Sequence, residues 1–332
     1  MYHSCNELLE LKHKRKTIVL YGCGKVGTEI IKQRYKKNSG PHIRLLCVSR
    51  KKKLTEKSDS SAKKRRSDNV LSMALDLDER ENIKRIASLG SMIIVLIPTM
   101  DSNNSLRGQE KDSRTRLLAI ELSKKEAAQI KGVYLSTTGV YGDKNGKKIN
   151  ETSKCIPKNK RSLRRLDAEN KVRKLNFHVL RVPGIYSINR LPLSRLLKKT
   201  PVLNNEEDIY TNHIHEKDLA RTAYLALFKG KRSRVTNVVD NSELKMSEYM
   251  DLIASATGIE KPVRASIFEL TKLAEKGLIS EMAMSFLNES RRVDNKRLQE
   301  ELKVNLNYPT VDKFIKTNKK QLSTIRQQTP AQ

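Results

Sequence analysis

TIVLYGCGKVGTEI, residues 17–30, passes from an apolar, β-branched run through three glycines into an amphipathic segment. Gly22, Gly24 and Gly27 stand in GxGxxG spacing directly after a predicted strand and at the start of a predicted helix. In that pattern Gly22 permits the tight turn, Gly24 lets the backbone approach a pyrophosphate, and Gly27 allows helix and strand to pack closely. Lys25 and Val26 lie between them at the helix N-terminus, where free N–H groups and the positive end of the dipole favour phosphate. The strand and helix context makes an otherwise weak motif informative. It implies a bound dinucleotide.

The same alternation continues outward. IRLLCVS (43–49), MIIVLIP (92–98), VYLSTTG (133–139) and FHVLRVPG (177–184) are apolar runs bounded by Gly, Ser or Pro, with amphipathic segments such as VGTEIIKQRYKK and RTRLLAIELSKKEAAQI between them. This predicts an α/β fold, a doubly wound parallel sheet covered on both faces. RKKKLTEKSDSSAKKRRSD (50–68) interrupts the rhythm as a basic inserted loop. Past residue 190 the pattern changes. SEYMDLIASATGI reads as a helix capped by Ser247 and closed by Gly258, VTNVVD (235–240) as a strand, Asp218 as the cap of DLARTAYLALF, and the chain from Asn318 as a polar, frayed tail. The expected organisation is a nucleotide-binding domain over 1–184, a smaller α/β lobe over 185–317 and a flexible tail over 318–332.

A formal charge of +30 admits a nucleic-acid partner, but 5% aromatic residues and no Trp leave few platforms for base stacking, so this is the weaker reading. Cys5, Cys23, Cys47 and Cys155 have no CxxC spacing, which argues against zinc and against a disulfide framework. His213 and His215 form an H-x-H with no third ligand nearby, so no metal site is expected. No apolar run is long enough for a signal peptide or a membrane span, and a soluble, cytoplasmic protein without a membrane partner is the expectation.

Cofactor preference should show where the second strand ends. Ser49 and Arg50 stand there instead of an acidic residue, and a serine with a guanidinium suits a ribose 2′-phosphate, favouring NADP(H) over NAD(H).

STTGVYG (136–142) brings a family pattern into view. Together with LYGCGKVG, ALDLDE around Asp76, VLRVPGIYS, HIHEKDLA, TNVVD and SRRVDNKRLQEELKVNLNYPT, it resembles the extended short-chain dehydrogenase/reductases, the NAD-dependent epimerase/dehydratase-like proteins, over almost the whole chain. The resemblance implies a Rossmann domain, a C-terminal lobe that closes over a substrate that is usually a nucleotide-sugar, and a TNVVD strand that returns to the first domain. Members often pair as homodimers. It puts Asp76 near the adenine, Pro183 beside the nicotinamide, and Thr137 where a Ser or Thr hydrogen-bonds the reacting oxygen.

The catalytic Tyr-x-x-x-Lys of that group should fall in RSLRRLDAENKV (161–172), with Glu169 four residues past the Lys. Arg161 then occupies the Tyr position and Arg165 the Lys position. A guanidinium stays protonated, so neither serves as the base, although Arg165 could still hold cofactor ribose or an anionic ligand. Arg181 reads as half of a structural ion pair. Three readings stay open: an enzyme with relocated acid and base, using Tyr141 or Tyr186 with Thr137; a non-catalytic NADP(H)-binding sensor or regulator; and a nucleic-acid binder. In the first two the partners are a nicotinamide dinucleotide and a small-molecule ligand, an anionic one among the options, that the sequence does not name.

Overall fold

The computed structural model describes residues 16–36, 43–50, 70–99, 110–125 and 130–325. The N-terminal stretch with Cys5, the basic loop beyond Arg50 and the last seven residues lie outside the described residues. Two compact units divide the chain: one takes Met1–Ser136, Leu163–Leu180 and Leu219–Val235, the other Thr137–Ser162, Arg181–Asp218 and Thr236–Gln332.

The central sheet uses the apolar runs as strands: β1 (Lys16–Tyr21), β2 (Ile43–Ser49), β3 (Val70–Ala74), β4 (Met92–Val95), β5 (Lys131–Thr137), β6 (His178–Val182) and β7 (Val235–Asn237). Their order is β7-β6-β5-β4-β1-β2-β3, with parallel pairing from β3 through β5. Helices α1 (Lys25–Lys36), α2 (Arg80–Ser88), α3 (Ser113–Ser123), α4 (Lys160–Arg173) and α5 (Glu216–Lys229) fall between strands in the chain. Order reverses between β1 and β4, and a crevice at the carboxyl ends of strands at such a point is where open α/β sheets bind ligands.

Register places Tyr21, Val95 and Tyr134 side by side across β1, β4 and β5. They share a core with Ile83 and Ile86 of α2, Leu118 and Leu122 of α3, and Ala168 and Val172 of α4. Residues two apart on a strand and about four apart on a helix share a face, so this core fixes which side of each element looks inward.

In the second unit, the helix Met246–Thr257 packs Tyr249, Met250 and Ile253 against Tyr186, Val311 and Phe314. Gly258 closes it in the left-handed region (φ 68°), as its position predicts. Its start differs from expectation: Lys245 is the N-cap, its N–H donating to Glu248, while Ser247 lies inside the first turn and donates its hydroxyl to Asp208 (2.5 Å). Asp218 likewise is not a cap. It sits in the first turn of α5 and accepts from the backbone of Asn307 and Tyr308, tying the segment after the last strand to the helix. The chain stays ordered past Asn318, with a short helix over Lys319–Ser323 that buries Leu322 in the same core. Two strands are shorter than their apolar runs, β4 ending at Val95 and β7 at Asn237.

Candidate functional site

At the end of β1 the N–H groups of Gly22 and Cys23 both donate to the Val48 carbonyl (3.1 and 2.7 Å), which draws the turn against β2. Gly22 has φ +92°, and a Cβ there would lie 2.3 Å from Ile97 Cγ2 and 2.9 Å from its backbone nitrogen. Gly27 is also closely packed: a Cβ there would lie 2.8 Å from the Cys23 sulfur. Gly24 is the opposite case: it is exposed, and a Cβ there would meet nothing within 4 Å. The helix begins at Lys25, with Thr28 N–H donating to the Gly24 carbonyl (2.9 Å), so Lys25, Val26 and Gly27 occupy the first turn, whose N–H groups have no acceptor within a helix. Two of the three glycines are filled by the protein itself. The third leaves room for a ligand.

Ser49 is half-buried at the end of β2, and its carbonyl accepts from Leu75 N–H (3.1 Å). Arg50 follows, fully outside. Asp76 is exposed in the turn after β3, its carboxylate accepting from Asp78 N–H (3.0 Å). Sequence reasoning missed the neighbouring pair: Arg114 of α3 grips the Asp78 carboxylate with two nitrogens, the Nη2 bond being 2.6 Å. That hydrogen bonding holds the Asp78 carboxyl below its usual range and the guanidinium above its own. The two residues are 36 apart in the chain with no shared motif, and only the fold brings them together.

The first three arginines of α4 have three different fates. Arg161 is exposed, its guanidinium 5.0 Å from the centre of the Phe286 ring. Arg165 donates from Nη1 to the Tyr134 hydroxyl (2.9 Å) and to the Leu135 carbonyl (3.0 Å), at the end of β5. Burial pushes the Tyr134 phenol up to about 12, against the pull of Arg165. Arg164 is buried, and its Nε and Nη1 have no partner. Asp167, also on α4, is held by Arg116 (Nε to Oδ2, 2.7 Å), and Glu169 is buried. The arginine expected at the Lys position is thus anchored on the sheet, and the one between it and Arg161 went unnoticed in the sequence.

In the second unit Thr137 is half-buried, and its Oγ1 accepts from Gly139 N–H (3.1 Å), capping the turn Thr138–Tyr141. Tyr141 is buried and donates to Asn237 Oδ1 (2.7 Å), with the Arg181 guanidinium 4.6 Å from its ring centre. Arg181, expected in an ion pair, also meets the aromatic face of Tyr141. Burial pushes the Tyr141 phenol up to about 12. Tyr186 is enclosed edge-on by His213, His215 and Phe314, and burial together with the Asp240 carboxyl pushes its phenol well above the usual range. Asp240 itself is pushed up to about 7 by burial. Pro183 is half-buried between β6 and the short strand Gly184–Tyr186. His213 and His215 stack on Tyr249 and Tyr308, and burial drives both imidazoles down to about 3, so they are neutral. Among the described residues no group of three or more His, Cys, Asp or Glu is placed to hold a metal. Nor is any described helix long and apolar enough to cross a membrane.

No protein-family model matches the sequence, and no curated protein does. Solved structures do. UDP-glucose 4-epimerase from Thermotoga maritima, solved with UDP-glucose, has a TM-score of 0.67 at 16% identity, over 95% of this chain and 100% of that one. A conserved protein of unknown function from Silicibacter pomeroyi gives 0.67 at 22% over the same shares. The chain shares the α/β, Rossmann-like fold of these structures. A third structure with this fold, UDP-glucuronic acid 4-epimerase from Bacillus cereus in complex with NAD, gives 0.64 at 13% identity, over 92% of this chain and 99% of that one. Identity this low speaks for the fold alone, and the chemistry has to be argued from the residues.

Proposed function

We propose that the protein binds a nicotinamide dinucleotide in its first unit and acts, in the manner of an epimerase, dehydratase or reductase, on a carbonyl or alcohol substrate of nucleotide-sugar-like kind. The observation that carries this reading is the glycine loop, where Gly22 and Gly27 are required by the protein's own packing while the space over Gly24 is open beside a helix N-terminus. Oriented N–H groups facing open space at the carboxyl edge of a parallel sheet are what a pyrophosphate needs. Gly22, Gly24, Lys25, Val26 and Gly27 would hold it, Asp76 would lie by the adenine, and Ser49 with Arg50 would favour the 2′-phosphate of NADP(H). Structures of the same fold were solved with NAD and with UDP-glucose, which supports both ligand classes.

When bound, the nicotinamide supplies the hydride acceptor or donor. Thr137, half-buried on a strand end, is the side chain that would hydrogen-bond the reacting oxygen, and Pro183 would border the nicotinamide. Tyr141 and Tyr186 are poor bases near neutral pH, since both phenols are buried and keep their protons. Arg165 is engaged by Tyr134 and Leu135, and any hold on the ribose would use its remaining nitrogens.

A second reading, a dinucleotide-binding protein without turnover, is favoured by one observation: at the positions where the resemblance expects Tyr and Lys, Arg161 lies on Phe286 and Arg165 on Tyr134, and a guanidinium that never gives up its proton cannot act as the base. Titration with NADPH and NADH, followed by nicotinamide fluorescence with a short RNA as competitor, tests the shared part. Saturable binding that RNA does not displace is expected, tighter for NADPH; no binding of either nucleotide sinks both readings. Transfer of deuterium from labelled NADPH to any of a panel of sugar nucleotides and simple ketones then separates catalysis from binding.

A further inference from the structure

Arg164 is left over by the dinucleotide reading. It is 6% exposed, and its Nε and Nη1 meet no hydrogen-bond partner. An arginine cannot lose its proton on burial, and an uncompensated buried charge is strongly unfavourable. Its neighbours on α4 offer no relief. Asp167 is taken by Arg116 and by the Asp112 N–H, and Glu169, five residues on, points about 140° away around the helix. Arg165 is itself a cation.

The place of this guanidinium is defined by what lies around it. Arg164 precedes Ala168 and Val172 by one and two turns, and both of those are in the core with Tyr21 and Tyr134, so Arg164 is on the sheet-facing stripe. The bonds from Arg165 to Tyr134 and Leu135 pin this part of the helix at the carboxyl end of β5. The next residue on β5 is Ser136, which is 6% exposed and whose hydroxyl also has no partner. Ser136 is two residues past Tyr134 and therefore on the same side of the sheet. Two nitrogens of a buried guanidinium and a buried hydroxyl thus share one face at this edge with no partner among the protein's own groups. Two unsatisfied donor groups, one of them permanently charged, are complementary to an oxyanion.

We propose that Arg164, assisted by Ser136, is an oxyanion receptor of the first unit, taking a carboxylate or phosphate of a small molecule bound at the carboxyl edge of the sheet. Its location rests on the reading of that edge as the ligand site; its chemistry does not. The anion has two sources, the phosphates of the dinucleotide or an acidic group on a second ligand.

The test uses the full-length protein, thermal unfolding, and titrations with NADH, inorganic pyrophosphate and malonate. Arg164→Met removes the charge while keeping an apolar stem of similar reach. Without ligand, this variant should melt higher than the parent, by ~2 °C or more, because an unpaired buried charge has been removed. Its affinity for the responding anion should fall at least ~10-fold, with Arg164→Lys retaining part of the response. Ser136→Ala should keep the parent's melting temperature and weaken the anion, which covers the case in which Arg164→Met does not fold. Loss of both pyrophosphate and NADH binding assigns the receptor to the dinucleotide; loss of malonate alone assigns it to a second ligand. A lower melting temperature for Arg164→Met with anion response intact would overturn the proposal, as would a parent protein that responds to none of the three. A parent that ignores NADH but loses its pyrophosphate or malonate response on Arg164→Met would refute the dinucleotide reading and leave the receptor standing.

Discussion

The glycine loop after β1 and the Arg164–Arg165 turn of α4 stand at the same edge of one sheet, and they treat polar groups in opposite ways. The loop spends its steric constraints inward, on Ile97 and Cys23, and leaves the space over Gly24 open beside the N-terminus of α1. The arginine turn sends its charges inward, one satisfied by Tyr134 and Leu135 and one with its Nε and Nη1 left without a partner. The lesson is that a binding surface can be recognised by what the protein declines to fill. An empty volume beside fixed donors and a buried donor without an acceptor are two forms of the same signal.

Substitutions can break or sharpen that contrast. The largest effect on stability is expected for Gly22→Val, which forces a β-branched residue into positive φ and onto the Ile97 backbone; a loss of about 3 kcal/mol or more should appear in urea unfolding. Next comes Arg165→Leu, which strands the buried Tyr134 hydroxyl; a loss of about 1–3 kcal/mol is expected in the same assay, part of it recovered by Arg165→Lys. An unchanged midpoint would show that Arg165 is not an anchor and would erase its difference from Arg164. Thr137→Val removes the acceptor of Gly139 N–H and should cost about 1 kcal/mol, while abolishing any turnover and sparing NADPH affinity. Gly24→Asp should change stability by less than about 0.5 kcal/mol, since its Cβ meets nothing, yet weaken NADPH by roughly tenfold or more by setting a carboxylate against phosphate. Equal NADPH affinity in that variant would remove Gly24 from the site.

How much of this could be read from the sequence varied with the range of the interaction. The glycine loop and the strands are local patterns, and β1, β2, Gly22, Gly24 and Gly27 fall where the periodicity and spacing put them. The Lys245 cap was obscured because its capping bond uses a backbone N–H and the Glu248 side chain, which makes the identity of residue 245 nearly irrelevant. The Arg114–Asp78 pair and the anchoring of Arg165 depend on elements brought together only by the sheet order. Arg164 was hidden for another reason: its significance lies in two buried nitrogens without a partner, and only burial and bonding in three dimensions can reveal that.

The stacked imidazoles of His213 and His215 make acidity a denaturant of the second unit. Each is driven down to about 3 in the folded protein, so on unfolding each takes up a proton anywhere between that value and an ordinary histidine pKa of about 6.5. Asp240, held up to about 7, does the reverse and releases one proton on unfolding between about 4 and 7. With two protons gained against one lost, stability should fall as pH drops below about 6.5, which a urea midpoint measured at descending pH would follow. The two rings therefore act as a built-in acid fuse in the second unit, costing the fold stability as the surroundings turn sour.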